Sequence, residues 1–158
     1  MYQKTLYETL QNYKHIWIKK SRGLGVTEFL LRYIAWSCFS KYAANSRVCI
    51  VTGPRIDLAE DLIARFKGLF TRVENNSASD RTASTVAFLN GVKVEAFPSH
   101  HVDTMRGLDN VKFILSDETD YYPPFQQKEV RAVMEGYIDP HIVLVSTPKA
   151  PGGLMQQI

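Results

Sequence analysis

The sequence predicts an α/β domain in which a mostly parallel sheet is flanked by helices and carries an antiparallel hairpin near one edge. Short apolar runs alternate with helical segments along most of the 158 residues, which favours parallel strands joined by helical crossovers. A glycine-bearing loop separates the first apolar run from a long helical segment. An Asn-Gly pair separates two later runs, which is the typical turn of a β-hairpin.

Length and composition are those of one globular domain. Hydrophobic residues make up 45% of the chain and charged residues 22%, and the net charge of +3 permits a phosphate or nucleic-acid partner without demanding one. Cys38 and Cys49 show no metal-binding spacing and fit the reduced thiols of a cytosolic protein. No apolar run could span a membrane and the start lacks a signal-peptide pattern, so we expect a soluble protein.

The first half of the chain predicts an alternation of helices and strands. Leu6 and Leu10 have helical spacing within Met1 to Tyr13, and His15 to Lys19 has the apolar-aromatic composition of a buried strand. Thr27 to Tyr42 contains no glycine or proline and predicts a buried helix.

A second strand and helix follow. Arg47 to Thr52 is an apolar run closed by a Gly-Pro pair, and Asp57 to Phe70 has one apolar helical face with Asp57 as a possible N-cap. Glu74 to Thr85 is polar and predicts an exposed loop. The runs Thr85 to Leu89 and Val92 to Phe97 then predict the hairpin, which we place at a sheet edge.

The region after the hairpin is interpreted as a polar loop. His100, His101 and Asp103 could suggest a metal site, but adjacent histidines point in different directions and no further cluster accompanies them. Arg106 closes this loop, and a cation there could reach a phosphate bound at the carboxyl ends of the strands.

The last third of the chain predicts two more strands around a helix. Lys112 to Ser116 is a third buried strand, and Pro123 to Tyr137 is a helix with prolines at its start. Ile142 to Val145 is the last strand, and it leads directly into Ser146 and Thr147.

The loop from Lys20 to Thr27 is similar to a phosphate-binding loop, whose usual pattern is G-x-x-x-x-G-K-[ST]. Gly25 and Thr27 fit the last glycine and the magnesium-binding hydroxyl, whereas Val26 occupies the usual lysine position and Lys20 the first glycine position. Lys20 could supply an ammonium from the loop's entrance, and Arg22 a second cation that pairs with phosphate. The alternative is a strand-to-helix turn with exposed cations.

Backbone N–H groups of such a loop converge on an anion, and the following helix adds the positive end of its dipole. The predicted phosphate-binding residues are Lys20, Ser21, Arg22, Gly23, Gly25, Val26 and Thr27. Gln3 would recognise adenine if this loop binds a nucleotide, because an amide both donates to and accepts from the base edge. Otherwise Gln3 is only part of a short helix.

Acidic residues follow the third predicted strand directly. Asp117 and Glu118 would repel each other at a buried strand end unless a cation compensated them. Asp117 could hold Mg²⁺ through water, while Glu118 polarises a water that attacks the γ-phosphate. The alternative is a strand that ends in a solvated acidic turn. Ser146 and Thr147, at the end of the last strand, could hydrogen-bond that water or the γ-phosphate. Taken alone, Ser146-Thr147-Pro148 is merely a turn.

The ordered set of motifs resembles the ATPase domain of the large terminase subunit, the DNA-packaging motor of tailed viruses. The matching segments are Tyr2-Gln3 for its adenine motif, Lys20 to Thr27 for a deviant Walker A loop, Arg106-Gly107 with Phe113 to Glu118 for the Walker B region, and Ser146-Thr147-Pro148 for the coupling motif. Val26 departs from the commoner lysine. The resemblance implies a P-loop NTPase fold of the RecA-like, additional-strand class.

The same resemblance implies the chemistry and the partners. ATP and Mg²⁺ would be the cofactors, with Thr27 and Asp117 at the metal and Glu118 activating water. Arg22 or Arg106 would stabilise the transition state, within the subunit or across a ring interface. Hydrolysis would be coupled through Ser146 and Thr147 to the movement of double-stranded DNA. The protein would form a homo-oligomeric ring and act with a portal and a small terminase subunit. It would work in the host cytoplasm, without a membrane.

The resemblance further implies that residues 1–158 are an ATPase domain that stops before its last strands and before a nuclease domain, so no nuclease site is assigned. Two other functions stay open on sequence grounds. One is a helicase-type ATPase that acts on nucleic acid. The other is a non-catalytic nucleotide-binding module, in which Val26 marks a decayed site.

Overall fold

The computed structural model describes residues 2–20, 25–69, 84–137 and 139–146. The α-helices of this part of the chain are α1 (Tyr2–Asn12), α2 (Val26–Ser40), α3 (Ile56–Gly68) and α4 (Pro124–Glu135). The strands are β1 (His15–Lys19), β2 (Arg47–Thr52), β3 (Val86–Leu89), β4 (Val92–Pro98), β5 (Val111–Asp117) and β6 (His141–Ser146).

The strands form one sheet in the order β1-β6-β5-β2-β4-β3. Every neighbouring pair is parallel except β3 and β4, which form the hairpin. The predicted α/β fold with a mostly parallel sheet is therefore confirmed. β6 lies between β1 and β5. One strand therefore separates the end of β1, which leads into the predicted phosphate loop, from the acidic turn that begins at Asp117 and Glu118, as in the additional-strand class of P-loop folds.

Helices cover both faces of the sheet, which explains why the central strands β2 and β6 are continuous apolar runs, whereas β4 alternates in its first half. α1, α2 and α3 pack on one face through Leu10, Ile34 and Phe66. α4 packs on the other face, where Val130 and Met134 contact the cluster that contains Ile114. None of the helices in the described residues is long and apolar enough to cross a membrane.

The predicted N-cap of α3 is wrong. The helix begins at Ile56, its N-cap position is Arg55 and no side chain caps it. Asp57 therefore lies inside the first turn of the helix, where the positive end of the helix dipole stabilises its carboxylate. The same carboxylate lies 3.4 Å from the Arg55 guanidinium. The Gly-Pro turn ends β2 so sharply that the helix starts two residues after the proline.

The hairpin lies at one edge of the sheet, as predicted: β3 is the edge strand, and β4 pairs in parallel with β2. One further prediction is wrong. The segment predicted as a polar loop forms a short 3₁₀ helix, Ser99–Met105, since Val102 and Met105 are buried against the sheet. The predicted loop at Glu74 to Thr85 lies almost entirely outside the described residues.

Candidate functional site

The carboxyl ends of β1, β6 and β5 lie at one level of the sheet. Lys19 is in register with Ser146, and Val145 is in register with Asp117. The backbone N–H of Lys20 donates to the carbonyl of Ser146 at 3.1 Å, which extends the β1–β6 pairing by one residue. The lysine, the hydroxyl residue and the acids are thus brought to the same edge, as parallel pairing predicts.

The residue before α2 has a backbone conformation that suits a tight turn. Gly25 has φ 70° and ψ 23°, a left-handed conformation that glycine adopts without the strain a side chain would cause. The side chain of Val26 is only 4% exposed and belongs to the core. A lysine at that position would have to leave the core, so Val26 can serve an anion only through its backbone N–H.

A hydrogen bond joins the start of α2 to the end of β5. The Thr27 hydroxyl donates to Oδ1 of Asp117 at 2.9 Å. Burial raises the pKa of the Asp117 carboxyl above its ordinary value, and the negative charge of Glu118 adds to the rise. The Thr27 hydroxyl and the charges of Lys20 and Arg65 oppose that rise. A cation placed here would therefore relieve an unfavourable buried charge.

An ion pair makes a second bridge across the same gap. The Lys20 ammonium lies 2.6 Å from Oε1 of Glu118, and the two side chains are 13% and 34% exposed. Glu118 itself has φ 54° and ψ 45°, in the left-handed region that few non-glycine residues occupy. The displaced lysine thus reaches the acidic turn from the end of β1, although the usual position in the loop is taken by Val26.

A cavity of about 580 Å³ opens beside the acidic turn, on the side of β2 and α3. This volume lies in the range of small-molecule sites. Its walls are formed by strand ends, by one face of α3 and by the acidic turn. They comprise Thr52, Gly53, Pro54, Leu58, Asp61, Leu62, Arg65, Asp117, Glu118 and Tyr121.

Arg65 is a cavity residue that the sequence did not indicate. Its guanidinium lies 3.4 Å from Oε2 of Glu28, which ties α3 to α2. No motif surrounds Arg65, and it lies off the apolar face of its helix. Only the packing of α3 beside β2 brings this cation to the site.

Two further predicted residues of the described part of the chain, Gln3 and Arg106, do not line this cavity. Gln3 is exposed in the first turn of α1. Arg106 follows the 3₁₀ helix and precedes the amino end of β5. Its side chain is 55% exposed, and its Nε lies 3.1 Å from Oδ1 of Asp103. Arg106 does not line the cavity. Ser21, Arg22, Gly23 and Thr147 lie outside the described residues.

The arrangement can hold an anion and a hard cation side by side. Cationic and N–H groups lie at the end of β1 and the start of α2, and oxygen donors lie at Thr27 and Asp117. Among the described residues no group of three or more His, Cys, Asp or Glu could hold a metal ion. A metal bound here would take its other ligands from water and from the anion, as Mg²⁺ does at nucleotide sites.

Comparison with known proteins identifies the fold. No known family model matches the sequence, and no curated protein matches it significantly. The structure is similar to a point mutant of the large terminase ATPase domain of Thermus phage P74-26, with 17% identity, a TM-score of 0.59 and coverage of 95% of this chain and 65% of that one. It is also similar to the N-terminal domain of the DNA packaging ATPase from bacteriophage phi29, with 13% identity, a TM-score of 0.65 and coverage of 94% and 80%.

A third similar structure is the large terminase of a thermophilic bacteriophage in complex with ADP, with 14% identity, a TM-score of 0.60 and coverage of 88% and 34%. The chain thus spans about a third of this ADP-bound terminase and just under two thirds of the P74-26 domain. The chain has the fold of large terminase ATPase domains, which confirms the predicted P-loop class.

Proposed function

We propose that this chain is the ATP-hydrolysing motor domain of a viral terminase large subunit, which moves double-stranded DNA into a procapsid. One observation supports this more than any other. Two contacts bridge the candidate site: the Thr27–Asp117 hydrogen bond joins the start of α2 to the end of β5, and the Lys20–Glu118 ion pair joins the residue after β1 to the residue after β5. These are the pairs of groups that an ATPase must hold against its metal and its γ-phosphate.

Mg²⁺ fits the residues at the first of these contacts. Hydroxyl and carboxylate oxygens are the ligands that it prefers, and the raised pKa of Asp117 reflects a charge that a cation would stabilise. Thr27 and Asp117 would hold the metal, directly or through water. When bound, it would neutralise charge on the β- and γ-phosphates.

The phosphates would lie against the N-terminal end of α2. The backbone N–H groups of Gly25, Val26 and Thr27 open this helix and have no partner within it, so they suit an anion. Lys20 would add the ammonium that Val26 cannot supply. Because Lys20 pairs with Glu118 in the structure, a γ-phosphate would compete with the carboxylate for the same ammonium.

Glu118 would orient and activate the attacking water. Its carboxylate borders the cavity, and the left-handed backbone directs it away from the strand. Ser146 lies at the neighbouring strand end, where it and Thr147 would couple hydrolysis to movement. Gln3 would contact adenine, while Ser21, Arg22 and Gly23 would complete the phosphate loop.

We assign the transition-state arginine to Arg106 acting across a subunit interface. Arg106 is exposed and does not line its own cavity, so it would reach a neighbouring site more readily than its own. A homo-oligomeric ring on a portal, loaded by a small terminase subunit, would supply that neighbour. The names of the similar structures, which include large terminases and a DNA packaging ATPase, support this setting.

The test is ATP affinity with and without Mg²⁺, measured by calorimetry on the parent chain and on Lys20→Ala. Losing a charged hydrogen bond to phosphate should weaken binding about 10- to 100-fold. Lys19→Ala removes an exposed neighbouring lysine and should bind like the parent.

Magnesium-dependent binding that only Lys20→Ala loses would support both the site and the displaced lysine. Equal affinity of Lys20→Ala and parent would contradict the role of Lys20. If the folded chain, and a longer one that contains it, bind no ATP, the proposed function is wrong.

A further inference from the structure

The acidic turn keeps an unfavourable backbone conformation. Glu118 has φ 54° in a segment without glycine, between the end of β5 and a short 3₁₀ turn at Thr119–Tyr121. Such a conformation persists only when the surrounding contacts hold it in place. The contacts that do so are therefore part of whatever the carboxylate of Glu118 performs.

A buried tyrosine hydroxyl lies directly behind this turn. Tyr122 is 2% exposed, and its hydroxyl lies 2.6 Å from the carbonyl oxygen of Asp117 and 2.8 Å from that of Val51. Its single proton is donated to these two carbonyl acceptors, one on the acidic turn and one near the end of β2. Tyr122 thus ties the turn to the strand whose end borders the cavity.

Two smaller hydroxyls complete the buried network. Ser116 Oγ lies 3.1 Å from the Tyr122 hydroxyl and 2.8 Å from Oγ1 of Thr119. Ser116 and Thr119 have no exposed surface. On the far side, the side-chain amide of Gln127 donates to the carbonyl of Tyr122 at 2.8 Å, which anchors the tyrosine to α4.

These contacts fix both peptide planes around Glu118. The carbonyl of Asp117, in the plane before it, accepts from the Tyr122 hydroxyl. The carbonyl of Glu118, in the plane after it, accepts from the N–H of Tyr121 at 3.0 Å. With both planes held, φ and ψ of Glu118 have little freedom, and its side chain must leave the turn on the side of Lys20 and the cavity.

We propose that Tyr122 is a positioning residue, whose hydroxyl holds Glu118 in the left-handed conformation that presents its carboxylate to the γ-phosphate site. The proposal rests on the proposed function for its kinetic consequence, but not for the conformation itself. Tyr122 touches no reacting group and acts only through the peptide plane of Asp117. Burial raises the pKa of Tyr122 well above its ordinary value, so the hydroxyl keeps the proton that it donates.

Tyr122→Phe removes this hydroxyl and keeps the buried ring. Tyr137→Phe is the matched control, because Tyr137 also donates to backbone carbonyls, those of Met105 and Leu108, away from the acidic turn. The first readout is the backbone conformation of Glu118 from NMR chemical shifts and the intraresidue H–N to Hα contact. We expect Glu118 to leave the left-handed region in Tyr122→Phe and to keep it in Tyr137→Phe.

The second readout separates turnover from binding. Tyr122→Phe should lose about tenfold or more in kcat while its affinity for Mg·ATP stays within about threefold of the parent, because only the activation of water depends on Glu118. Unchanged Glu118 geometry in Tyr122→Phe, or an unchanged kcat in that variant, would overturn the proposal. Tyr137→Phe is the control for the conformation only, because its hydroxyl anchors the segment that carries Arg106.

Two further outcomes keep the proposals separable. A folded parent that binds no ATP, either as this chain or as a longer chain that contains it, would contradict the proposed function, while the NMR comparison still decides the role of Tyr122. If Tyr122→Phe does not fold, Ser116→Ala replaces it, since the loss of the neighbouring hydroxyl should shift Glu118 in the same direction. An undisturbed Glu118 in Ser116→Ala would then overturn the proposal.

Discussion

The two halves of the candidate site are held in place by different means. At the end of β1, the cation is carried by the long side chain of Lys20, which reaches Glu118. At the end of β5, the carboxylate of Glu118 is carried by a left-handed non-glycine residue that a buried hydroxyl network fixes from behind. One half depends on the reach of a side chain, and the other depends on the backbone.

This difference explains why the motif deviates on only one side. An ammonium on a flexible four-carbon chain can reach the same point from several loop positions, so in the proposed site Lys20 would supply the ammonium that position 26 lacks. A carboxylate that must orient water has a short side chain and needs a defined backbone position. The cationic half therefore tolerates a change of position, whereas the acidic half keeps the usual Asp-Glu order.

The largest effect is expected at the acidic half. Glu118→Gln keeps the shape of the side chain but cannot take a proton, so kcat should fall about 10²- to 10⁴-fold. ATP affinity should stay equal or rise, because Lys20 loses its competing ion pair. Single-turnover hydrolysis and ATP titration of the same preparation measure both; hydrolysis at the parent rate would remove Glu118 from the mechanism.

An experiment with mixed variants tests whether the transition-state arginine, Arg106, comes from another subunit. Arg106→Ala and Glu118→Gln should each be inactive in an assembled ring, and a mixture should regain part of the turnover if Arg106 serves a neighbouring site. Arg55→Ala, which removes another exposed arginine, is the control and should be active alone. A mixture without any gain would favour action within one subunit.

A smaller effect is expected where the two halves meet. Thr27→Val removes the hydroxyl that donates to Asp117 and keeps the side-chain shape. Affinity for ATP should fall about tenfold with Mg²⁺ present, the value of one hydrogen bond, and should not change in EDTA. Thr9→Val, at a threonine of α1 whose hydroxyl donates to Thr5, controls for the substitution. An equal loss in EDTA would show that Thr27 does not act through the metal.

The smallest effect is on the stability of the nucleotide-free protein. The folded-state pKa of Asp117 is raised above its ordinary value of 3.8, chiefly by burial. Its stabilising contribution is therefore complete below that value and is lost as pH rises through the folded pKa. Asp117→Asn lacks this loss, so its Tm should exceed that of the parent at pH 7, and the difference should vanish at low pH.

Asp109→Asn, which removes one carboxylate that is 95% exposed, is the control for the change in net charge. Thermal melts across the pH range measure the difference for both variants. A lower Tm for Asp117→Asn at neutral pH would show that the ionised carboxyl is net stabilising without a metal.

Much of this structure could be predicted from the sequence, because strands, helices and the hairpin turn depend on patterns within short stretches of the chain. The extents of β1 and β2 were predicted to the residue, and Asn90-Gly91 indicated the hairpin turn. Apolar runs show where strands are buried on both faces, and parallel strands place their carboxyl ends at one edge. Lys20, Thr27, Asp117 and Glu118 could therefore be placed together from the sequence.

What only the tertiary structure decided depends on contacts between distant segments. β6 lies between β1 and β5, and β4 pairs in parallel with β2, although these neighbouring strands come from distant parts of the chain. The pairing of Lys20 with Glu118, the approach of Arg65 and the hydroxyl of Tyr122 behind the acidic turn have no local pattern. The sequence thus determined which chemical groups lie at the carboxyl edge of the sheet, and the packing determined which of these groups contact one another.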